Sequence, residues 1–166
     1  QAPLALSGAG RSGGHQRRDD HLARDDHTLV VGIAVAAERG ESLDSLLKAL
    51  SPDLGFAVVL FVDEGEGAAE LLDRLSGQSS RMALRRAEDG DRVRPGGILV
   101  VPSLHAATFE AGRLRLRALA PSRRERSLID LFLSSMAEWA GERAVGIALV
   151  PPGADGTLGL KAVKQW

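Results

Sequence analysis

The stretch Thr28–Leu50, TLVVGIAVAAERGESLDSLLKAL, admits few architectures. Leu29 to Val35 is a β-branched apolar run with the length of one strand buried on both faces. Ala36 to Glu41 carries charged residues and Gly40, so the chain turns there. Leu43, Leu46, Leu47 and Leu50 then recur at helical spacing behind Ser42, which reads as an N-cap. In open α/β sheets, ligands and reacting groups gather at the carboxyl ends of strands, at turns such as this one. Yet the turn offers no Ser, Cys, Thr, His or Lys before Arg39, and no glycine-rich cradle.

The alternation continues down the chain. Pro52-Asp53-Leu54-Gly55 makes a turn and Phe56–Val62 is a second buried strand. Ala68, Leu71, Leu72 and Leu75 mark a helix ended by Gly77. Met82–Ala87 and Ile98–Val101 are short strands. Ala107–Glu110 and Arg113–Arg117 alternate around Ala111-Gly112 as a β-hairpin with its leucines on one side and its arginines on the other. Ser127-x-x-Asp130 has the form of a capping box. Leu128, Leu131, Phe132, Ser135, Met136 and Trp139 then line a helix closed by Gly141, with Trp139 as a core anchor. Val145–Val150 is a further buried strand, and a last helix carries Lys161 to Trp166. The fold class predicted is α/β, a doubly wound, mainly parallel sheet with helices on both faces and a β-hairpin.

Charge excludes several roles. The 166 residues carry a formal net charge of -1, so nothing draws the whole chain to nucleic acid or to an anionic membrane. No apolar run approaches the roughly 20 residues that span a bilayer. Cys is absent, which removes disulfides, thiol nucleophiles and thiolate metal sites. The cytosol is the expected compartment. The span 63–73 holds acids and no base, and reads as a solvated helix start or an acidic docking face. Arg113, Arg115, Arg117, Arg123, Arg124 and Arg126 stand against Glu125 alone, as a solvated edge kept from mispairing by charge. Residues 1–27 read as a disordered tail or linker. Their echo, Arg18-Asp19-Asp20-His21 and Arg24-Asp25-Asp26-His27, is a solvated charge-balanced run or, less economically, a weak metal site. The start at Gln1 and the stop at Trp166 straight after a helical pattern suggest a piece of a longer protein.

Several blocks in order carry a family resemblance. They are VVGI at 30–33, LSPDLGFA at 50–57, AEDGDRVRPGGILVVP at 87–102, GRLRL at 112–116, IDLFLSSMAEWAGERAVGIAL at 129–149 and GADGTLGLKAVK at 153–164. Over residues 28–166 the chain resembles the catalytic domain of the chemotaxis protein-glutamate methylesterases, the CheB type. The resemblance implies a doubly wound α/β domain that hydrolyses glutamate methyl esters on chemoreceptors and deamidates glutamine there. It also implies a serine nucleophile, a histidine base and an aspartate that orients the histidine. A serine hydroxyl attacks only once an imidazole takes its proton, and a carboxylate must hold that imidazole in the right tautomer.

The chain departs from the family where that chemistry lies. In the family's GxSxGG-like turn, Ala36 stands at the serine position. Asp63 stands at the histidine position after the second strand. The aspartate survives as Asp155, approached through Pro151 and Pro152, which lack the N–H groups that an oxyanion would need. Losing serine or histidine from a coupled triad costs about 10⁶-fold, and the second loss adds little. An aspartate, ordinarily ionised at pH 7, cannot activate a hydroxyl that is no longer present. The expectation is a degenerate, catalytically silent domain with no cofactor and no metal, docking to signalling proteins such as chemoreceptors. Two alternatives stand beside it. One is an active hydrolase with a relocated nucleophile, Ser42 with His105, although Ser42 also reads as a cap and His105 as a structural hydrogen-bonder. The other is a sensor of a small ligand in the vacant cleft.

Overall fold

The computed structural model describes residues 27–63, 65–76, 82–121 and 127–166. Most of the tail with its Asp-Asp-His echo, together with Glu64, Gly77 and the arginines at 123, 124 and 126, lies outside the described residues. Five strands form one parallel sheet: β1 (Val30–Val35), β2 (Ala57–Val62), β3 (Ala83–Arg86), β4 (Gly97–Val100) and β7 (Ala144–Leu149), in the order β3-β4-β2-β1-β7. β5 (His105–Glu110) and β6 (Arg113–Ala118) make a separate antiparallel hairpin. The helices are α1 (Gly40–Ala49), α2 (Ala68–Ser76), α3 (Leu128–Ala140) and α4 (Thr157–Lys164). This is the predicted fold class.

The opening strand is the centre of the sheet. Val30 to Val35 pairs with β2 on one side, from Val30 opposite Ala57 to Val35 opposite Val62, and with β7 on the other. Its side chains alternate between two cores, as strand geometry requires. Val31, Ile33 and Val35 face Leu43 and Leu47 of α1 and Leu71 and Leu75 of α2. Val30 and Ala34 face α3, through Phe132 and Met136, and the hairpin, through Phe109 and Leu114. Gly32 leaves room on that second side, because a Cβ there would sit 2.7 Å from Met136 Sδ and 3.3 Å from Phe132 Cε1. The second core contains an aromatic column. Phe61 stacks on Phe132 at 5.4 Å, Phe132 meets Phe109 at 5.4 Å, and Phe109 stacks on Trp139 at 5.7 Å. Trp139 is thus the core anchor expected of it.

Four local expectations change. Ser42 is not an N-cap: α1 begins two residues earlier, at Gly40, and Ser42 is exposed on its first turn. Ser127 precedes α3 in the left-handed region (φ 64), and its side chain makes no cap bond, so the capping box does not close. The strand expected at Val145–Val150 is β7, Ala144–Leu149, and it is only half-buried, because it is the last strand of the sheet and, among the described residues, pairs on one side alone. The last helix runs Thr157–Lys164, four residues ahead of its expected start. Among the described residues, no helix is long and apolar enough to cross a membrane.

Candidate functional site

The carboxyl end of β1 is held on both sides, because its ladders to β7 and to β2 each run one residue past the strand. The Ala36 N–H donates to the Leu149 carbonyl at 2.9 Å, and the Asp63 N–H donates to the Val35 carbonyl at 2.8 Å. This brings Ala36 and Asp63 to one open cleft of about 710 Å³. Glu38, Glu66, Glu70, Leu71 and Arg74 line it with them. Arg74 shares its charge with Asp44, Nη1 to Oδ2 at 2.7 Å. The cleft therefore carries excess negative charge. Among the described residues, its lining holds no serine, threonine, histidine or lysine, so it presents neither a hydroxyl nucleophile nor an imidazole. Among the described residues, no group of three or more His, Asp or Glu side chains is placed to hold a metal ion.

Asp155 is not part of that lining. It follows β7, and the start of α3 holds it. The Ile129 N–H donates to Asp155 Oδ2 at 2.7 Å, and the Asp130 N–H donates to Oδ1 at 3.2 Å. These are the free donors of a helix N-terminus, the groups that Ser127 leaves unsatisfied. Asp130 answers in kind. Its Oδ1 accepts the Gly159 N–H at 2.7 Å, in the first turn of α4. Burial is the main force pushing the Asp155 carboxyl above its ordinary pKa, and a hydrogen bond with the Asp130 carboxyl adds to it. The two backbone N–H groups pull the other way, and the Asp130 charge pushes up again.

The relocated pair does not assemble. Ser42 is on α1, which packs on one face of the sheet, and His105 opens the hairpin packed on the other. The His105 Nδ1 lies 2.8 Å from the Ser103 carbonyl oxygen, which makes it the structural hydrogen-bonder of the two expectations. His105 lines a different hollow, with Arg86, Glu88 and Asp89.

Ala36 and Asp63, singled out from the sequence, share the cleft with Glu66 and Glu70 of the acidic run, whereas Glu38 and Arg74 carry no sequence signal as walls of the same cleft. Sequence reasoning also missed Asp130 as the partner of Asp155. A signal for the last existed: an acid in the first turn of α3 and an acid just before α4, each available to the other helix.

Comparison with known proteins agrees with this architecture. The family model described as CheB methylesterase matches residues 31–166. The chain is 33% identical over 158 residues to protein-glutamate methylesterase/protein-glutamine glutaminase 2 of Burkholderia orbicola, covering 92% of this chain and 46% of that protein. It is 30% identical over 150 residues to protein-glutamate methylesterase/protein-glutamine glutaminase 2 of Anaeromyxobacter dehalogenans, covering 90% of this chain and 44% of that protein. The chain thus spans under half the length of these curated relatives. The crystal structure of the Thermotoga maritima CheB methylesterase catalytic domain superposes with a TM-score of 0.66 at 22% identity, over 83% of this chain and 75% of that one, a likeness of fold. With the sheet order, the hairpin and the span of the family match in agreement, the chain belongs to the CheB methylesterase family.

Proposed function

We propose that this chain is a degenerate methylesterase-like signalling domain, catalytically silent and kept as a docking or regulatory module. In this reading the domain is residues 28–166, and residues 1–27 are a tail or linker. Ala36 takes the place of the family's serine, Asp63 that of its histidine, and Asp155 that of its aspartate. The observation that carries the reading is the content of the cleft at the ends of β1 and β2. Ala36 brings a methyl group to it and Asp63 a carboxyl group, so the described lining supplies neither the hydroxyl nor the imidazole on which the family's serine chemistry depends. The engagement of Asp155 by the N-terminus of α3 supports it further, since a carboxyl serving as a cap is retained for stability without any catalytic demand.

The relatives are named for glutamate methyl esters and glutamine side chains on proteins. The partners proposed here are therefore chemoreceptor-like or other signalling proteins in the cytoplasm, bound without turnover. The test has two arms. The whole chain is incubated with a methylated receptor fragment and, separately, with p-nitrophenyl acetate. Hydrolysis is expected to stay at the buffer rate while the receptor fragment binds. An ester hydrolysis rate that Asp155→Asn abolishes, in a variant that keeps its melting temperature, defeats the reading.

A further inference from the structure

Arg92 and Arg113 face each other across an antiparallel bridge. Partners in such a bridge project to the same side of the ribbon, and like charges placed directly opposite repel. A third arginine joins them from the turn before β7. The Arg143 guanidinium carbon lies 5.2 Å from the centre of the Trp139 ring, which is itself anchored in the core by its stack on Phe109. The three arginines, with Thr28, Gly112 and Trp139, line a hollow of about 140 Å³. Among the described residues, no carboxylate lines it, and Arg92 makes no ion pair. Arg113 Nη1 donates to the Gly90 carbonyl at 2.9 Å, and Arg143 Nη1 donates to the Thr28 carbonyl at 3.2 Å. The bond to the Gly90 carbonyl aims the Arg113 guanidinium without neutralising it.

We propose that this hollow binds a dianionic phosphoryl group, as inorganic phosphate or as a small phosphate monoester. Guanidinium forks match the paired oxygens of a phosphate, and a bound dianion offsets the repulsion between Arg92 and Arg113. The volume equals about four to five waters, which admits a tetrahedral oxyanion and is too small for a nucleotide. The hollow lies beside Val30, at the start of β1, whereas the acidic cleft lies beyond the end of that strand. The site is thus separate from the proposed active-site remnant and does not rest on that reading.

The test is calorimetric titration of the whole chain with inorganic phosphate and, in a second arm, with glycerol phosphate, at ionic strength held constant with chloride. Saturable one-site binding is expected. Tighter binding of phosphate assigns the free anion, and tighter binding of glycerol phosphate assigns the monoester. Arg92→Gln, at an exposed position, is expected to weaken binding about tenfold or more, the loss of one charge-assisted contact, while the ligand-free melting temperature holds or rises. Arg92→Lys, which keeps the charge without the fork, falls between. The proposal is overturned if no saturable heat appears, if Arg92→Gln binds as the parent does, or if acetate competes as well as phosphate.

Discussion

Asp155 and Asp130 cap each other's helices. Asp155, which stands before α4, accepts the Ile129 and Asp130 N–H groups of α3, and Asp130, inside α3, accepts the Gly159 N–H of α4. Removing Asp155 strips two N–H groups of their acceptor at a junction where α3 and α4 are closely packed. Asp155→Ala is expected to lower the free energy of unfolding by about 1–3 kcal/mol, read by urea denaturation. Asp155→Asn keeps one carbonyl oxygen for the shorter bond and is expected to lose less. Equal stability of all three proteins would remove Asp155 from this role.

The same pair gives a pH dependence of definite sign. The Asp155 carboxyl is pushed up from 3.8, first by burial and then by its hydrogen bond with Asp130. The folded protein therefore holds this proton more firmly than the unfolded chain does. That contribution to stability is complete below the ordinary carboxylate value and is lost as pH rises through the elevated one. The Asp155→Asn variant cannot titrate at this position, so subtracting its stability from the parent's isolates the effect from the other carboxylates. The difference in unfolding free energy, measured by urea titration from pH 3.8 upward, is expected to shift against the parent as pH increases. A shift in the parent's favour contradicts it.

The sheet was legible because its evidence is local. Two doubly buried strands, Val30–Val35 and Ala57–Val62, carry runs of β-branched residues that little else in a soluble fold accommodates. The hairpin was legible for the same reason, from strict alternation around Ala111-Gly112. What escaped was assembled across the chain. Ser127 and Asp130 have the right types and spacing for a capping box, yet Asp130 turns to Gly159, 29 positions away, because α4 packs against the first turn of α3. Ser42 looked like a cap because charged residues before it hid the start of α1 at Gly40. The alternation of the hairpin assigns Arg113 to a solvated edge, whereas its Nη1 meets the Gly90 carbonyl and its side chain walls a hollow with Arg143. Periodicity within one element carries no record of such meetings.

Gly159 is a point of close approach between α3 and α4. A Cβ there would lie 2.7 Å from Leu133 Cβ and 3.2 Å from both the Cα and the carbonyl oxygen of Asp130. Two of these neighbours are backbone and cannot rotate away. Gly159→Ala gains about 1 kcal/mol of helix propensity, but overpacking of this kind costs about 1–3 kcal/mol and here also displaces the N–H bonded to Asp130. The net expectation is a lower urea midpoint than the parent, and a larger drop than Gly153→Ala, where a Cβ meets nothing within 4 Å. Because Gly153 has φ 80, its own substitution carries backbone strain, and this makes the comparison a demanding one.

Reinstating a hydroxyl and an imidazole tests whether the cleft alone is what silences the chain. Ala36 and Asp63 open on the same cleft, so Ala36→Ser with Asp63→His puts the two groups in one space. The third member would still be occupied elsewhere, because both Asp155 oxygens accept N–H groups from α3. A triad whose aspartate does not orient the base runs about 10⁴-fold below the complete one. Pro151 and Pro152, next to the end of β7, also withhold backbone N–H donors from a developing oxyanion. Hydrolysis of p-nitrophenyl acetate by the double variant is therefore expected to stay within about tenfold of the parent chain. A rise of about 10³-fold or more, with fluorophosphonate labelling of the hydroxyl introduced by Ala36→Ser, would instead place Asp155 within reach of the imidazole and refute its assignment to the helix junction.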